Sequence, residues 1–306
     1  MDLIDRYRGA LLGLACGDAL GAPLEFSKLG TFAPVREMTG GGAFQLPPGY
    51  WTDDTSMALC LAESLVECRG FDARDQLTRY VRWWKTGHWS STGHCFDIGA
   101  TTRGALERFA RTGEEFCGLE DPQTAGNGAL MRLAPVPLYF ADEPAEAVRL
   151  AGESSRTTHG ARASVDACRY FAALLLGALE GVDKEELLGL RYTPVPQLWR
   201  RKPLCPEIDE IALGAYRRRS PPGIRGGGYV VHSLEAALWA FCYSNSFEEA
   251  VLKAVNLGDD ADTTGAVCGQ LAGAYYGASA IPSRWLDQLH RRDDIAAMAE
   301  RLLRRN

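Results

Sequence analysis

Hydrophobic residues recur at helical spacing along most of the chain. In ten segments, apolar side chains return every three or four residues, as they do on one face of an α-helix. The segments are 4–22, 54–68, 73–84, 99–111, 144–152, 161–180, 232–243, 247–256, 263–277 and 293–304. Alternating patterns typical of strands are few and short. The pattern predicts an all-α fold, and because no linker or low-complexity segment divides residues 1–306, it predicts a compact single domain with many helices.

Small residues mark one face of the first predicted helix. Gly9, Gly13, Gly17 and Gly21 follow one another at intervals of four residues, which places them on the same side. A glycine face lets a neighbouring helix approach closely. We expect such packing at Gly9 and Gly13, whereas Gly17 and Gly21 lie nearer the helix end that leads to Glu25.

Long connections rich in Gly, Ser, Thr and Asn separate the helical segments. Loops on a rigid scaffold are where binding residues concentrate, so these connections are the candidate binding segments. The proline-rich region 190–222 is predicted to be an irregular surface segment. The candidate loops are 39–50, 86–99, 120–132, 154–160 and 220–229.

Composition narrows the class of protein. Hydrophobic residues make up 46% of the chain, charged residues 24%, and the formal net charge is -6. This balance gives no sign of a nucleic-acid partner, and the basic run 217–219 is interpreted as a solvated loop. From the acidic start we expect no signal peptide, and no apolar run is long enough for a membrane helix. The nine cysteines include no C-x-x-C pair, which favours reduced thiols in a cytoplasmic protein. We expect the protein to be a monomer.

Two acidic stretches each precede an apolar helical run. They are WTDDTSMAL at 51–59 and NLGDDADTTG at 256–265. Helix capping is one interpretation, since an Asp or Thr cap contributes about 1 kcal/mol. Capping accounts for one or two of these residues and leaves the others unexplained.

Metal binding is the second interpretation of the acidic stretches. If the two helix starts meet, neighbouring carboxylates repel by about 4 kcal/mol per pair at about 4 Å and an effective dielectric of about 20. A cation bound between the carboxylates replaces this repulsion by attraction to the cation. The candidate ligands are all oxygens, which suits Mg²⁺, Mn²⁺ or Ca²⁺ rather than Zn²⁺. Both interpretations remain open at this point, because the sequence alone does not bring the stretches together.

Four motifs of the chain resemble the ADP-ribosylglycohydrolase family. They are GALLGLACGDALGAPLEF at 9–26, TDDT at 52–55, GNGALMR at 126–132 and GDDADT at 258–263. The similarity runs from about residue 6 to 280 and is strongest to the branch that acts on dinitrogenase reductase. It implies a compact all-helical protein with two Mn²⁺ or Mg²⁺ ions. It also implies hydrolysis of the bond between ADP-ribose and an acceptor, an arginine in that branch.

The resemblance also implies roles for individual residues. Asp259 stands where many relatives have glycine and would act behind the ligands or as a cap. Asp97 matches an acid beside the substrate ribose and would transfer a proton. Glu25 matches a glutamate that approaches the metals or the substrate. The implied metal ligands are Thr52, Asp53, Asp54, Asp260, Asp262 and Thr263.

The diphosphate of such a substrate needs hydrogen-bond donors rather than carboxylates. Backbone N–H groups at glycines can supply them, together with hydroxyls and an imidazole. Adenine needs an aromatic surface, for which Tyr229 is the candidate. As alternatives, His159 could cap the helix that begins near residue 160, and Trp51 and Phe96 could be core residues. The candidate donors are Gly126, Asn127, Gly128, Ser155, Thr157 and His159.

Several functions remain compatible with these residues. The first is removal of ADP-ribose from arginine on a protein, with dinitrogenase reductase as the partner that the resemblance implies. A second keeps the chemistry and changes the acceptor to serine, a nucleic-acid base or a metabolite. A metal-free glycosidase with two carboxylates and a non-catalytic ADP-ribose-binding protein are the others.

Overall fold

The computed structural model describes residues 2–305 and confirms the all-α prediction. Within that range it contains isolated β-bridges but no strand. Short 3₁₀ turns lie at Ala22–Leu24, Pro122–Thr124, Ala215–Arg218 and Ala278–Ala280. The helices are α1 (Leu3–Gly21), α2 (Asp53–Glu67), α3 (Ala73–Thr86), α4 (Ala100–Thr112), α5 (Pro135–Tyr139), α6 (Pro144–Arg156), α7 (Arg162–Glu180), α8 (Lys184–Leu187), α9 (Leu198–Arg201), α10 (Pro206–Ala212), α11 (Val230–Cys242), α12 (Phe247–Val255), α13 (Ala261–Tyr276), α14 (Ser283–Leu286) and α15 (Arg292–Arg304).

The ten helices predicted from periodicity are all present. They correspond to α1–α4, α6, α7, α11–α13 and α15, with ends displaced by a few residues. The sequence pattern did not predict α5, α8, α9, α10 or α14. Each of these five has seven residues or fewer, and so short a segment completes too few turns to show a helical period.

Local signals explain where the amphipathic helices begin and end, as α3 illustrates. The Asp72 side chain accepts a hydrogen bond from the Asp75 N–H at 2.8 Å, which caps the first turn. Tyr80 and Trp83 lie on the buried face of the helix. Gly87 ends it in the left-handed conformation with φ 71°, which glycine adopts without steric cost.

The central contact of the fold is between α1 and α13, which run antiparallel with their backbones touching. A methyl group on any of the four α1 glycines would overlap a backbone carbonyl of α13. Gly17 and Gly21, predicted only to lie near the helix end, take part as fully as the other two. The facing pairs are Gly9 with Gly273, Gly13 with Gly269, Gly17 with Gly265, and Gly21 with Ala261.

This contact brings the end of α1 beside the start of α13. Gly21, the last residue of α1, faces Ala261, the first residue of α13. The acidic residue Asp18 and the loop that carries Glu25 therefore lie next to the second acidic stretch. Around this pair, the buried side chains of most other helices form one continuous hydrophobic core.

The region 190–222 is more ordered than its proline content suggested. It contains α9, α10 and a 3₁₀ turn. Trp199 is 8% exposed, Tyr216 is 1% exposed and Ile208 is fully buried. The prediction of an irregular surface segment was therefore wrong for these residues, since Pro206 begins α10 and the other prolines lie in the loops.

Two further expectations concern the membrane and the thiols. None of the helices within residues 2–305 combines the length and the apolar character that a bilayer crossing requires. All nine cysteines are free thiols, as expected.

We predict that Gly269→Ala destabilises the protein by about 3 kcal/mol, because the new methyl group overlaps the Gly13 carbonyl and forces α1 and α13 apart. The measurement is urea unfolding followed by circular dichroism. Gly104→Ala is the matched control, since Gly104 lies in α4 with open space around it. The control should be neutral or stabilising by about 0.5–1 kcal/mol. Equal stability of the two variants would contradict the assigned contact.

Candidate metal centre and binding cavity

Three helix ends meet at one acidic cluster. The Thr52 hydroxyl oxygen lies 3.2 Å from Oδ2 of Asp262. The Thr263 hydroxyl oxygen lies 3.4 Å from Oδ2 of Asp54. These contacts cross between the starts of α2 and α13, so the structure brings the two acidic stretches together. The positive ends of two helix dipoles point into the cluster and favour its negative charge.

Asp18 holds the start of α2 from another helix. Its Oδ1 accepts hydrogen bonds from the N–H and hydroxyl of Thr52 at 2.8 and 3.0 Å. Its Oδ2 accepts from the N–H and hydroxyl of Thr55 at 3.0 and 2.6 Å. The carboxylate therefore serves as an N-cap supplied by α1. The sequence pattern did not place Asp18 in the site, although a lone acid inside an otherwise apolar helix was a usable signal.

Several carboxylate oxygens in the cluster are buried and lack a donor. They are Oδ1 of Asp54, Oδ1 of Asp262 and Oε2 of Glu25. An unsatisfied buried polar atom costs about 1–3 kcal/mol, and more when it is charged, so each of these oxygens calls for a partner. The carboxylates and hydroxyls offer only oxygen ligands, which are those that Mg²⁺, Mn²⁺ and Ca²⁺ accept.

The acidic residues form two adjoining groups that share one member. In the group Asp18, Asp54 and Asp262, one oxygen from each residue lies within 4.8 Å of the others. The same holds for the group Glu25, Asp97 and Asp262. Asp262 belongs to both groups. The donor set therefore fits a divalent cation.

Burial and mutual repulsion raise the pKa values of six carboxyls in the cluster. Burial is the largest cause, followed by neighbouring carboxylates. The pKa of Asp97 rises to about 6 and that of Glu25 to about 9. Burial also raises the pKa of Asp18 to about 6 despite its four hydrogen bonds. The pKa values of Asp53, Asp54 and Asp262 also lie well above the ordinary value. Protons thus reduce the charge repulsion when no cation does so.

A cavity of about 500 Å³ opens beside the cluster. Within residues 2–305, no lysine or arginine lines it. One part of the lining is acidic and the other consists of glycines, hydroxyls, an amide and an imidazole, which can donate hydrogen bonds. The acidic part comprises Glu25, Asp53, Asp97, Asp259, Asp260 and Asp262, and the donor part includes Thr101, Thr102, Gly126, Asn127, Gly128, His159, Gly227 and Gly228.

Asp97 reaches the cavity from the loop that precedes α4. The loop is anchored by Ser91, whose hydroxyl donates to the Trp51 carbonyl at 2.6 Å. Trp51 is fully buried and belongs to the core. Phe96 packs against Phe44 with ring centres 5.2 Å apart, and it does not line the cavity. The alternative interpretation is therefore confirmed for Trp51, whereas Phe96 is half-buried and belongs neither to the core nor to the cavity lining.

The predicted glycine loop is joined to the loop before α11. The Asn127 N–H donates to the Gly228 carbonyl at 3.1 Å, and the Val230 N–H donates to the Ala125 carbonyl at 3.0 Å. The Asn127 amide also donates to Oδ2 of Asp260 at 2.8 Å, which links the donor part of the cavity to the acidic part. Tyr229 lies between these contacts, is 38% exposed and is not part of the cavity lining.

The segment 154–160 contributes one of its three predicted donors to the cavity. His159 lines it, and the first residue of α7 has no side-chain cap, so the capping interpretation of His159 is wrong. The Ser155 hydroxyl donates to the His159 carbonyl at 2.8 Å. The Thr157 hydroxyl donates to the Ser154 carbonyl at 2.7 Å. These two hydroxyls are satisfied by the backbone and lie outside the cavity lining.

Two residues with positive φ connect the Glu25 loop to the start of α13. Phe26 has φ 64° and Asp259 has φ 61°. The Phe26 N–H donates to the Asp259 carbonyl at 2.6 Å, and the Asp259 N–H donates to the Ser27 carbonyl at 2.7 Å. Asp260, not Asp259, is the N-cap residue of α13. Asp259 therefore fixes the loop. Phe26, whose backbone conformation is strained, is 68% exposed and forms part of the cavity wall.

The fold and the acidic centre are those of a glycohydrolase that acts on ADP-ribosyl groups. The chain matches the ADP-ribosylglycohydrolase family along residues 1–306 and belongs to it. It is 44% identical to the ADP-ribosylarginine hydrolase Tri1 of Pseudomonas putida (strain GB-1), over 99% of this chain and 79% of that protein. It is 34% identical to the ADP-ribosyl-[dinitrogen reductase] glycohydrolase of Rhodospirillum rubrum, over 93% of this chain and 90% of that protein. These similarities support glycohydrolase activity for the chain.

A solved structure shares the fold. It is described as an ADP-ribosylglycohydrolase-related protein complex, and it superimposes with a TM-score of 0.87 at 50% sequence identity. The match covers 99% of this chain and 98% of the solved one.

We predict that the stability of the protein in EDTA falls as the pH rises from 5 to 9. The folded-state pKa values of Asp97 and Glu25 exceed their ordinary values. Their contribution is therefore present at low pH and is lost as the pH rises through about 6 and then about 9. The measurement is the melting temperature by circular dichroism in buffers of matched ionic strength.

Divalent cations should reverse this trend. Ligands must lose protons to bind a metal, so the rise in melting temperature caused by Mn²⁺ should increase with pH. Glu25→Gln and Asp97→Asn should each flatten the profile measured in EDTA. Identical profiles in Mn²⁺ and in EDTA would show that the cluster binds no cation.

Proposed function

We propose that this glycohydrolase removes ADP-ribose from ADP-ribosylated arginine side chains of a protein by hydrolysing the N-glycosidic bond. We further propose that it uses two Mn²⁺ or Mg²⁺ ions for this reaction. The observation that carries the proposal is the cluster of buried, donor-less carboxylate oxygens beside a cavity with a donor lining. The carboxylate cluster suits cations that bind a sugar, and the donor lining of the cavity suits a diphosphate.

The choice of arginine rests on the relatives. Proteins from Pseudomonas putida and Serratia proteamaculans, 44% and 41% identical to this chain, are named ADP-ribosylarginine hydrolases. The Rhodospirillum rubrum relative, named for ADP-ribosyl-dinitrogen reductase, is 34% identical. Dinitrogenase reductase is accordingly one candidate substrate, and other ADP-ribosylated proteins are equally compatible with the site.

We assign the cation ligands to residues at the starts of two helices. Two of these residues, Asp54 and Asp262, each have a buried carboxylate oxygen without a donor. Asp18 holds the start of α2 in place through Thr52 and Thr55. Bound cations would compensate the carboxylate charge and polarise the hydroxyls of the ribose. The assigned ligands are Thr52, Asp53, Asp54, Asp260, Asp262 and Thr263.

Asp97 is the proposed proton donor to the leaving group. Hydrolysis breaks the bond between the anomeric carbon and the guanidine nitrogen, and it adds the hydroxyl of water to the carbon and a proton to the nitrogen. Guanidine leaves poorly unless that nitrogen is protonated. Asp97 lines the cavity beside the cluster, where its carboxyl can give and regain this proton. Glu25 lines the same cavity and can hold a water or hydroxyl by a hydrogen bond.

The diphosphate is assigned to the donor part of the cavity. Gly126 and Gly128 leave room for a close approach, and His159 presents an imidazole. Asn127 lies between the two glycines and lines the cavity, with its amide donating to Ser233 and Asp260. Tyr229 remains the proposed contact of the adenine, at the edge of the same loop pair. The hydroxyls of Ser155 and Thr157 are left out of this assignment because the backbone already satisfies them.

The direct test is hydrolysis of a defined substrate. We expect the purified protein with Mn²⁺ to release free ADP-ribose from an ADP-ribosyl-arginine peptide. ADP-ribosyl-serine peptide should be a poor substrate, and excess EDTA should abolish the reaction. Release from serine but not from arginine would assign a different acceptor. Activity that survives EDTA would favour the metal-free two-carboxylate mechanism.

We predict that Asp260→Ala lowers kcat by at least about a hundredfold while the protein still folds, because the variant removes a cation ligand and the partner of the Asn127 amide. Glu146→Gln is the matched control, since it removes a surface carboxylate whose partner is Arg149. Steady-state kinetics at saturating Mn²⁺ and circular dichroism are the measurements. Wild-type turnover in Asp260→Ala would remove this residue from the ligand set, and binding of ADP-ribose without turnover in the wild type would favour a non-catalytic reader.

A further inference from the structure

Arg132 is a buried cation without an acidic partner. Its side chain is fully buried, and within residues 2–305 no carboxylate lies at ion-pair distance from it. Its Nη1 donates to the Gly128 carbonyl at 2.8 Å, and its guanidinium carbon lies 4.6 Å from the ring centre of Tyr80. Burying an unpaired charge is costly, so the position of Arg132 needs an explanation beyond packing.

The second guanidinium nitrogen of Arg132 determines the direction of the hydrogen bonds that the Thr158 hydroxyl forms. Nη2 of Arg132 donates to the Thr158 hydroxyl oxygen at 2.7 Å. The same oxygen lies 2.8 Å from Nδ1 of His159. Arginine can only donate, so the hydroxyl oxygen is the acceptor in the first contact. Thr158 is fully buried, and no other acceptor for its hydroxyl proton is present within residues 2–305.

These contacts fix the position of the proton on His159. If Nδ1 carried the proton and donated it, the Thr158 hydroxyl proton would be buried without an acceptor, at a cost that the alternative avoids. The hydroxyl therefore donates to Nδ1, and the proton of the neutral imidazole lies on Nε2. Burial and the nearby Arg132 charge lower the pKa of His159 to about 3, which keeps the ring neutral.

The remaining nitrogen of the ring faces the glycine loop. A methyl group added at Gly128 would come within 3.1 Å of Nε2, and one at Gly126 within 3.2 Å. Within residues 2–305, Nε2 has no hydrogen-bond partner, and His159 lines the cavity. The Nε2–H group is thus a donor without a partner, next to Gly128, whose backbone N–H is a further donor.

We propose that Arg132 and Thr158 are positioning residues that hold His159 as the Nε2–H tautomer and so aim a polarised donor at the diphosphate of ADP-ribose. Each hydrogen bond in the series, from Arg132 to Thr158 to His159, points in the same direction. A fixed positive charge at its start strengthens the donor at its end. The identity of the ligand rests on the proposed function, whereas the tautomer follows from the protein alone.

The test begins with the tautomer in the ligand-free protein. The chain has five histidines, so ¹⁵N-histidine labelling gives few signals, and His159→Gln identifies the one that matters. Long-range ¹H–¹⁵N spectra should show a protonated Nε2 and an unprotonated Nδ1 for His159 from pH 5 to 8. A protonated Nδ1 would overturn the proposal without reference to any substrate.

Two variants separate positioning from packing. Thr158→Val keeps the shape of the side chain and removes the hydroxyl, so His159 should become a mixture of tautomers. ADP-ribose affinity measured by calorimetry with Mg²⁺ should fall about tenfold. Thr158→Ser keeps the hydroxyl and should retain the tautomer and an affinity within about twofold of wild type.

The outcomes distinguish this inference from the proposed function. An unchanged tautomer or unchanged ADP-ribose affinity in Thr158→Val would overturn the inference. If Thr158→Val does not fold, the wild-type tautomer and Thr158→Ser decide the question. Failure to cleave ADP-ribosyl-arginine, with the tautomer and ADP-ribose affinity as expected, would refute the proposed reaction and leave the positioning role intact.

Discussion

The contact between the backbones of α1 and α13 is the constraint on which the rest of the structure depends. Small residues on both helices remove the side chains that would otherwise separate them. Because the helices run antiparallel, the end of one lies beside the start of the other. That arrangement places Asp18 and the Glu25 loop against the start of α13, and Asp18 in turn holds the start of α2. An apolar packing contact thus determines where the polar site can form.

The site combines an acidic part and a part that donates hydrogen bonds. Its carboxylates are concentrated where burial and repulsion disfavour their charge, as the raised pKa values of Glu25 and Asp97 show. Its donor part is arranged in the opposite sense, with Arg132 buried behind a neutral imidazole and no acid beside it. A ligand that carries both an electron-rich sugar, bound through cations, and a diphosphate satisfies both parts at once. ADP-ribose has this composition, which is why the two halves of the cavity support the same proposed substrate.

Periodicity predicted the long helices, and the oxygen-rich residues of the two acidic stretches indicated a candidate metal-binding site. Both depend on local information: a repeat of three or four residues, and oxygen ligands placed before a helix. What could not be predicted depends on contacts between distant residues. The short helices α8–α10 exist because Ile208 and its neighbours are buried by the rest of the core. Asp18 joined the site because α1 meets α2, and Ser155 left the predicted set because its hydroxyl bonds to the His159 backbone.

Helices whose backbones touch can neither slide nor roll past one another without a clash. The carboxylates carried at their ends are consequently held on a frame that resists expansion. Ca²⁺ prefers oxygen distances of about 2.3–2.6 Å, whereas Mg²⁺ requires about 2.0–2.1 Å. The spacing that a cation would meet at these carboxylates is set by helix packing rather than by flexible loops. The glycine face of α1 thus fixes, from some distance along the same helix, the spacing of the carboxylates that lie at the helix ends.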